Sequence, residues 1–280
     1  MEKLLIVDGS NLLFQMFYGM PSRILDGEGK AIQGTLGFVG ALLKIIRMVE
    51  PTHVAVLFDG PCENERKAMD ENYKANRPDY SRMPEEETPF SQLPDIYAAL
   101  DYLGICHKET ACCEADDWIA GYALALGSEM EIVISSFDSD FFQLITDHVR
   151  ILRYRGSGTA ICDREYLKKR YDIEPGQYVD FKSLVGDTAD NIRGVNRVGP
   201  KTAAWLLREY GSLDGVIAGA ASIRKPSIRE SVMNSIPRLQ LNRRMIRLHT
   251  VEELPFSPDE MRYEYDGTTT MEVLRGIGLR

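Results

Sequence analysis

The sequence has few cysteines and no long apolar segment. Its five cysteines form no CxxC pair, which argues against a disulfide framework and against a zinc site. The adjacent Cys112 and Cys113 are interpreted as buried packing thiols rather than as a redox pair. No apolar run approaches the ~18 residues of a membrane helix, and an aspartate at position 8 comes too early for a signal peptide. We therefore expect a cytoplasmic protein without membrane association.

The chain also lacks a net positive charge. Its 280 residues include 33 Lys and Arg against 42 Asp and Glu, and the resulting formal net charge of −9 alone argues against binding to nucleic acid. The charge is unevenly distributed, however, because residues 193–247 contain eleven basic and only three acidic residues. A basic segment beside an acid-rich remainder is typical of a protein that binds a polyanion and uses its acids locally.

Three short apolar runs each precede an aspartate. The runs are 4–7 before Asp8, 54–58 before Asp59, and 132–134 before Asp138. Continuous apolar runs of this length are typical of buried strands in a parallel sheet, and helical patterns separate them at 37–49, 94–103 and 115–126. The alternation predicts an α/β fold whose functional residues lie beyond the carboxyl ends of the strands.

Residues 62–90 and the region after residue 177 depart from this alternation. The first stretch is polar, has three prolines near its end, and is too long for an ordinary loop. It is interpreted either as a functional lid or as a solvated surface excursion. The second region has helical spacing at 178–185, a turn-rich stretch at 186–199, and an amphipathic helix at 201–210 that Gly211 ends.

Acidic residues recur in tight clusters. They are Glu114, Asp116 and Asp117; Asp138 and Asp140; and Asp187 and Asp190. Helical spacing puts Glu114 and Asp117 on one face, and we expect the same of Asp187 and Asp190 in a helical turn, and of the second pair in extended chain. Any one of them alone is best read as a helix cap or a loop acid. Together they would repel one another strongly unless cations neutralise them, and two Mg²⁺ or Mn²⁺ ions ~4 Å apart suit phosphoryl chemistry.

The segment GVNRVGPKTAAWLL at 194–207 has two glycines around a short hairpin. It is similar to a helix-hairpin-helix, in which backbone amides and a helix N-terminus approach a DNA phosphate without reading sequence. The spacing from Gly194 to Gly199 also fits a nucleotide-binding P-loop. We reject that alternative because Pro200 separates Gly199 from Lys201 and no strand precedes the loop.

The motif order DGSN, FDG, YKANRP, EADD, FDSD, GDTADNI and GVNRVGPKTA resembles the 5′ nuclease family over residues 4 to about 210. That family includes the 5′-3′ exonuclease domain of bacterial DNA polymerase I, phage 5′ nucleases and flap endonucleases. The resemblance implies an α/β core of PIN-like type, with a parallel central sheet flanked by helices, over residues 1–175, with a helical arch at 62–90. Residues 176–280 would form a helix-hairpin-helix region with C-terminal helices.

The resemblance also implies a function and its cofactors. The chain would be a stand-alone 5′-3′ exonuclease and 5′ flap endonuclease of DNA replication and repair, leaving 5′-phosphate and 3′-hydroxyl ends. Two Mg²⁺ or Mn²⁺ ions would serve the reaction, and the hairpin would hold a monovalent cation such as K⁺. The expected partners are flapped, branched or nicked duplex DNA and RNA primer segments, and the expected state is a monomer.

Site residues carry over position by position. One metal would be held mainly by Asp8, Asp59, Glu114 and Asp116, a second mainly by Asp138, Asp140, Asp187 and Asp190, with Asp117 between them. Lys74 and Arg77 would steer and polarise the scissile phosphate, and Tyr73 would stack on an unpaired base. The implied DNA contacts are Arg66, Arg193, Gly194, Arg197, Gly199, Lys201 and Thr202.

Some positions depart from the family pattern. Gln15 stands where arginine is usual, and Phe137 and Ser139 replace a glycine and a basic residue, so two phosphate-facing charges would be missing. Arg193 and Arg197 occupy hairpin positions often filled by proline and glycine, which suggests stronger duplex binding by the hairpin. A junction-binding protein without catalysis and a PIN-like ribonuclease remain as alternatives, although residues 62–90 and 194–207 argue against the latter.

Overall fold

A computed structural model describes residues 2–61, 65–111, 113–249, 251 and 253–279. Cys62 and Cys112 lie outside the described residues, and so does the packing role expected of Cys112. Cys113 is half-buried and Cys162 is fully buried. Within the described residues, no helix has both the length and the apolar character needed to cross a membrane.

A six-stranded sheet forms the centre of the first part of the chain. Its strands are β1 (Lys3–Asp8), β2 (His53–Phe58), β3 (Cys106–Glu109), β4 (Glu131–Ser135), β5 (Val149–Arg153) and β6 (Ala160–Cys162). Their order is β3-β2-β1-β4-β5-β6, and only β6 runs antiparallel to its neighbour. The three predicted strands are confirmed, and all lie in the middle of the sheet.

Helices cover both faces of the sheet. They are α1 (Gly9–Gly19), α2 (Gln33–Val49), α4 (Leu93–Tyr102), α5 (Ala115–Leu126) and α6 (Arg164–Tyr171), while the short α3 (Glu65–Met69) belongs to the insertion and contacts the helical second part of the chain. Alternate residues of β1 serve two cores, since Leu5 and Val7 pack with α1, α2 and α4, whereas Leu4 and Ile6 pack with α5. Burial on both faces explains why β1 and β2 read as unbroken apolar runs. The predicted α/β fold class is confirmed.

The insertion is helical only in short pieces. Besides α3, its described part has 3₁₀ turns at 80–82, 85–87 and 89–92, and its three prolines interrupt longer helices. It is not a solvated excursion, because Arg66 and Tyr73 are 3% and 5% exposed. Its far end packs on α1, where Phe14 meets the rings of Tyr80 and Phe90 at centroid distances of 5.6 Å.

The second part of the chain is mainly helical. It contains α7 (Tyr178–Val185), the two-stranded hairpin β7 (Gly186–Asp187) and β8 (Ile192–Arg193), α8 (Pro200–Tyr210), α9 (Leu213–Ala218), α10 (Pro226–Asn234), α11 (Ile236–Ile246) and α12 (Thr270–Gly276). The predicted helices at 178–185 and 201–210 are confirmed. Pro200 occupies the first turn of α8, and Gly211 ends this helix with a φ of 81°.

The last residues return to the first part of the chain. The amide of Val54 donates to Met261 O at 2.8 Å and the amide of Tyr263 donates to Thr52 O at 2.9 Å, beside the start of β2. Helix α12 then packs against α2 and α4. The segment after residue 248, to which the sequence assigned no role, therefore fastens the helical part to the sheet domain.

A pair of glycine substitutions tests the packing of the helix-hairpin-helix segment at 194–207. A Cβ atom on Gly194 would lie 2.1 Å from Val185 O, whereas one on Gly199 would meet nothing within 4 Å. We expect Gly194→Ala to lower the free energy of unfolding by about 1–3 kcal/mol through overpacking, and Gly199→Ala to change it by less than about 0.5 kcal/mol. Chemical denaturation measures both, and equal stabilities of the two variants would contradict this packing.

Candidate active site

Three neighbouring strands place carboxylates at one edge of the sheet. Asp8 ends β1, Asp59 follows β2, and Asp138 lies three residues after β4. Helix α5 adds Asp116 in its first turn, and the amide of Ala115 donates to Asp59 Oδ1 at 2.9 Å. We call Asp8, Asp59, Asp116 and Asp138 the strand-end group. The sequence prediction of convergence at the carboxyl ends of the strands agrees with this arrangement.

Hydrogen bonds fix the direction of the Asp8 carboxylate. Its Oδ1 accepts from the amide of Asn11 at 2.9 Å, which caps α1, and its Oδ2 accepts from Ser136 Oγ at 2.8 Å. The same Ser136 hydroxyl accepts from the amide of Asp138 at 2.9 Å, and Asn11 Oδ1 accepts from the amide of Phe137 at 3.0 Å. The start of α1 and the loop that carries Asp138 are therefore locked together.

The strand-end group carries a strong mutual repulsion. Burial and then the negative charge of Asp59 raise the pKa of Asp8 to about 7. Burial, followed by the charges of Asp138 and Asp8, raises the pKa of Asp116 well above its ordinary range. Across the part of the chain that the structure describes, no basic nitrogen lies within 4.0 Å of any of these four carboxylates.

Three further acids form a second group. Carboxylate oxygens of Asp140, Asp187 and Asp190 lie within 4.8 Å of one another, and we call these residues the hairpin group. Asp187 belongs to β7 and Asp190 to the turn before β8, so the expected helical turn is instead a hairpin that begins where Gly186 ends α7 with a φ of 86°. Asp140 starts a 3₁₀ turn, and its amide donates to Asp138 Oδ1 at 2.8 Å, so this pair is not in extended chain either.

Asp138 faces both groups. Its charge contributes to the raised pKa values of Asp8 and Asp116 on one side and of Asp140 and Asp190 on the other. Burial is the first cause of the raised pKa of Asp140, about 7, and the charge of Lys182 opposes it. The two expected ligand sets are therefore adjacent, with Asp138 shared between them.

Glu114 and Asp117 bind the insertion. Arg66 forms ion pairs with both carboxylates, with 3.0 Å from Nη2 to Asp117 Oδ1, and Lys74 forms a second ion pair with Glu114. The amide of His249 also donates to Asp117 Oδ1 at 2.9 Å. Glu114 and Asp117 do share a face, as their helical spacing indicated, but that face is directed at basic side chains of the insertion.

The basic residues of the insertion differ in exposure. Arg77 is half exposed and its Nη2 lies 2.8 Å from Asp190 Oδ1. Arg66 is buried, and its Nε donates to Met245 O at 2.9 Å, while the buried Tyr73 hydroxyl lies 3.4 Å from Asp190 Oδ2. The guanidinium of Arg66 and the ring of Tyr73 thus lack the exposed surface that DNA contact and base stacking require. Both hold the insertion against the acids.

Sequence reasoning missed Lys182. Its ammonium contacts the carboxylates of both Asp140 and Asp187 from helix α7, and the residue is 6% exposed. The available signal was a single lysine among buried residues of YVDFKSLV, five positions before an acidic motif. Burying a lysine requires a charged partner, so this position indicated a buried ion pair.

Four of the six predicted DNA-contact residues at 193–202 are exposed at the surface, and Arg193 pairs with Gly186 in the hairpin that carries Asp187. Arg193, Arg197, Gly199 and Lys201 are exposed, and Gly194 and Thr202 are partly buried. Arg197 has a left-handed φ of 64°, and Gly199 precedes the first turn of α8. The arrangement puts basic side chains beside a helix N-terminus.

Two of the positions that depart from the family pattern line one groove. Gln15 and Phe137 line a groove of about 450 Å³ together with Tyr154 and Arg155. Gln15 Nε2 donates to Tyr154 O at 2.7 Å, and Arg153 Nη2 donates to Phe137 O at 2.9 Å. Ser139 lies 3.2 Å from the Lys182 ammonium. Basic residues from β5, from the loop after it and from α7 are therefore close to the positions where charges were expected to be missing.

Two family models match the chain. One describes a 5′-3′ exonuclease N-terminal, resolvase-like domain over residues 3–172, and the other a 5′-3′ exonuclease C-terminal SAM fold over residues 173–268. The chain belongs to the 5′-3′ exonuclease family. Family membership accounts for both halves of the fold and for the resemblance seen in the motifs.

Two relatives with similar sequences support this family assignment. DNA polymerase I of Rhizobium leguminosarum is 34% identical over 272 residues, with 94% of this chain and 26% of the relative covered. The thermostable DNA polymerase I of Thermus thermophilus is 33% identical over 258 residues, with 92% of this chain and 30% of the relative covered. The chain thus spans about a quarter to a third of the length of these relatives.

A solved structure shares the fold. A bacteriophage T5 flap endonuclease variant, in a pseudo-enzyme–product complex with DNA and metal ions, has a TM-score of 0.73 and 23% identity. The match covers 88% of this chain and 89% of that one. At this identity the likeness supports the fold alone.

The acids of this exonuclease-family chain fit divalent cations. Seven carboxylates lie in two adjacent groups, and those of the hairpin group are close enough to share one ion. Burial first, and then neighbouring carboxylates, raise the pKa values of Asp8 and Asp140, so a bound cation would stabilise the ionised form of both. Carboxylate oxygens are the ligands that Mg²⁺ and Mn²⁺ prefer.

The repulsion predicts a pH dependence of stability without metal. Since the folded pKa of Asp8, about 7, exceeds its ordinary value of 3.8, the folded state binds more protons than the unfolded state between these values. We expect this contribution to stability, present at low pH, to be lost as pH rises to about 7. Asp8→Asn removes it, so the free energy of unfolding of wild type minus that of the variant should fall between pH 5 and pH 8.

Guanidinium denaturation in EDTA measures this difference. Asp147→Asn serves as the control because the Asp147 side chain is largely exposed, and its difference from wild type should not vary in the same way. A constant difference between wild type and Asp8→Asn across this range would contradict the raised pKa of Asp8, which burial and then the charge of Asp59 produce.

Proposed function

We propose that the chain is a metal-dependent 5′-3′ exonuclease and structure-specific 5′ flap endonuclease that acts on DNA. The observation that carries this proposal is the convergence of seven carboxylates beside Lys74 and Arg77, together with exposed basic side chains around the N-terminus of α8. A nuclease needs these three elements together: acids for metal ions, cations for the scissile phosphate, and a surface for duplex phosphates. The products would carry 5′-phosphate and 3′-hydroxyl ends.

The proposed cofactors are two Mg²⁺ or Mn²⁺ ions. Asp8, Asp59 and Asp116, with Glu114 beyond them, would hold one, and Asp140, Asp187 and Asp190 the other, while Asp138, a member of the strand-end group that also faces the hairpin group, would serve both. When bound, such ions supply charge neutralisation and water activation for phosphodiester hydrolysis at neutral pH. A monovalent cation such as K⁺ at the hairpin remains part of the proposal.

The insertion would position the scissile phosphate. Lys74 is paired with Glu114, and Arg77 with Asp190, so both cations lie beside the acids. Arg77 is half exposed, which leaves its guanidinium accessible to an arriving phosphate. Arg66 and Tyr73 would act as positioning residues, because their contacts hold the insertion on Glu114, Asp117 and Asp190.

The basic residues in and just before the helix-hairpin-helix segment (194–207) would bind duplex DNA without reading its sequence. Arg193, Arg197 and Lys201 are exposed there, next to the N-terminus of α8. We propose residues 1–175 as the nuclease core and residues 176–280 as the region that binds DNA. Flapped, branched or nicked duplexes and RNA primer segments are the proposed substrates, for a monomer working in the cytoplasm in replication or repair.

Cleavage of a labelled 5′-flap duplex tests the assignment. We expect Mg²⁺-dependent cleavage by wild type, a loss of at least about 100-fold in Asp116→Asn, because several kcal/mol of metal stabilisation are removed, and normal activity in Asp101→Asn, whose side chain is exposed. Equal cleavage by wild type and Asp116→Asn would contradict the proposal. Retained binding without cleavage at any Mg²⁺ or Mn²⁺ concentration would favour a junction-binding protein, and faster cleavage of RNA a ribonuclease.

The salt dependence of DNA binding tests the exposed basic surface around Arg197 and Lys201. We expect Arg197→Ala and Lys201→Ala each to weaken binding equally for unrelated duplex sequences, and to reduce the slope of log affinity against log salt by about one unit. Arg150→Ala, an exposed change on β5, is the matched control and should leave the slope unchanged. Fluorescence anisotropy in Ca²⁺ measures the slopes; unchanged slopes in both hairpin variants would exclude this surface.

A further inference from the structure

Lys182 occupies an unusual place for a lysine. It extends from α7 into the acids, and its side chain is 8% exposed. The ammonium contacts Asp140 Oδ1 and Asp187 Oδ2, lies 3.2 Å from Ser139 Oγ, and is 6.0 Å from the centroid of the Tyr178 ring. Two acids, a hydroxyl and an aromatic face therefore surround this nitrogen among the described residues.

The two carboxylates that Lys182 contacts are members of the hairpin group. Their oxygens, with those of Asp190, are close enough together to ligate one ion. The ammonium thus contacts two of the three carboxylates that could hold a divalent cation, and Arg77 contacts the third, that of Asp190. An ammonium and a divalent cation held by the same carboxylates would repel each other, so the charge of Lys182 opposes metal binding there.

The strand-end group differs in this respect. Its four carboxylates have no basic nitrogen within 4.0 Å among the residues that the structure describes. A divalent cation that enters the strand-end group meets no internal cation within contact distance, whereas one that enters the hairpin group meets the positive charges of Lys182 and Arg77. The two groups are therefore inequivalent before any metal binds.

We propose that Lys182 is a built-in counter-ion that competes with the divalent cation of the hairpin group and so sets its affinity. This inference rests on the proposed function, since it concerns the same acids. A single ammonium stabilises buried carboxylates that would otherwise repel one another in the metal-free protein. Binding of a divalent cation ejects the ammonium toward Ser139, and the strand-end group fills first.

Binding of Mn²⁺ in the absence of DNA tests the inference. Lys182→Met keeps the length and apolar stem of the side chain and removes its charge. We expect calorimetry and electron paramagnetic resonance to show a strong and a weak class of Mn²⁺ sites in wild type. In Lys182→Met the weak class should tighten about tenfold or more, because a positive charge a few ångströms from the ion is lost, while the strong class stays unchanged.

Two further variants separate charge from structure. Lys182→Arg retains the charge and should not tighten the weak class. Lys168→Met removes an exposed lysine of α6 and should leave both classes unchanged. In EDTA, Lys182→Met should unfold more easily than wild type, and Mn²⁺ should close that difference. A folded Lys182→Met whose weak Mn²⁺ class is unchanged or weakened would overturn the proposal.

A measurement on the wild-type protein keeps the test decisive if Lys182→Met does not fold. The ¹⁵N resonance of the Lys182 ammonium should shift on titration with Mg²⁺ over the concentration range of the weak class. An unchanged resonance after both classes are filled would overturn the inference alone. Absence of any Mn²⁺ binding to wild type would overturn the proposed function as well.

Discussion

Repulsion among carboxylates at the carboxyl edge of the sheet is the interaction on which the rest of the site depends. Asp8, Asp59 and Asp138 follow strands that pair in fixed register, so they cannot move apart without breaking the sheet. Hydrogen bonds from Asn11 and Ser136 hold the Asp8 carboxylate in place as well. The protein therefore holds several carboxylates close together at fixed positions, and divalent cations stabilise such an arrangement.

The chain offsets part of this charge with its own cations, and in doing so it joins its parts. Arg66, Lys74 and Arg77 bring the polar insertion onto acids of α5 and of the hairpin. Lys182 brings α7 onto Asp140 of the sheet domain. Electrostatic contacts thus position the insertion, which is mostly polar, and add to the apolar packing that already holds α7. The strand-end group is left without such a partner within the described residues, and we therefore expect it to bind a metal ion more tightly than the hairpin group does.

The sequence predicted those features that depend on local pattern. The runs before Asp8 and Asp59 predicted buried strands, and the spacing at 178–185 and 201–210 predicted helices, because burial on both faces and helical periodicity leave direct traces. The short, polar strand β3 leaves no such trace.

The turns that carry Asp140 and Asp190 were assigned wrong conformations, although the convergence of the acids was anticipated. The burial of Arg66, Tyr73 and Lys182 arises from contacts with residues distant in sequence, which single-sequence patterns do not encode. The net charge of −9 was likewise misleading as an average, since acids and bases are segregated along the chain.

The most direct test of the account is a crystal grown with Mn²⁺ and examined by anomalous scattering. The account predicts an anomalous peak among the carboxylates of Asp8, Asp59, Asp116 and Asp138, present at Mn²⁺ concentrations too low to give a peak at Asp140, Asp187 and Asp190. A second peak should appear in the hairpin group only at higher concentration, together with a moved Lys182 side chain. Mn²⁺ bound elsewhere, with no peak in the strand-end group at any concentration, would contradict the central claim.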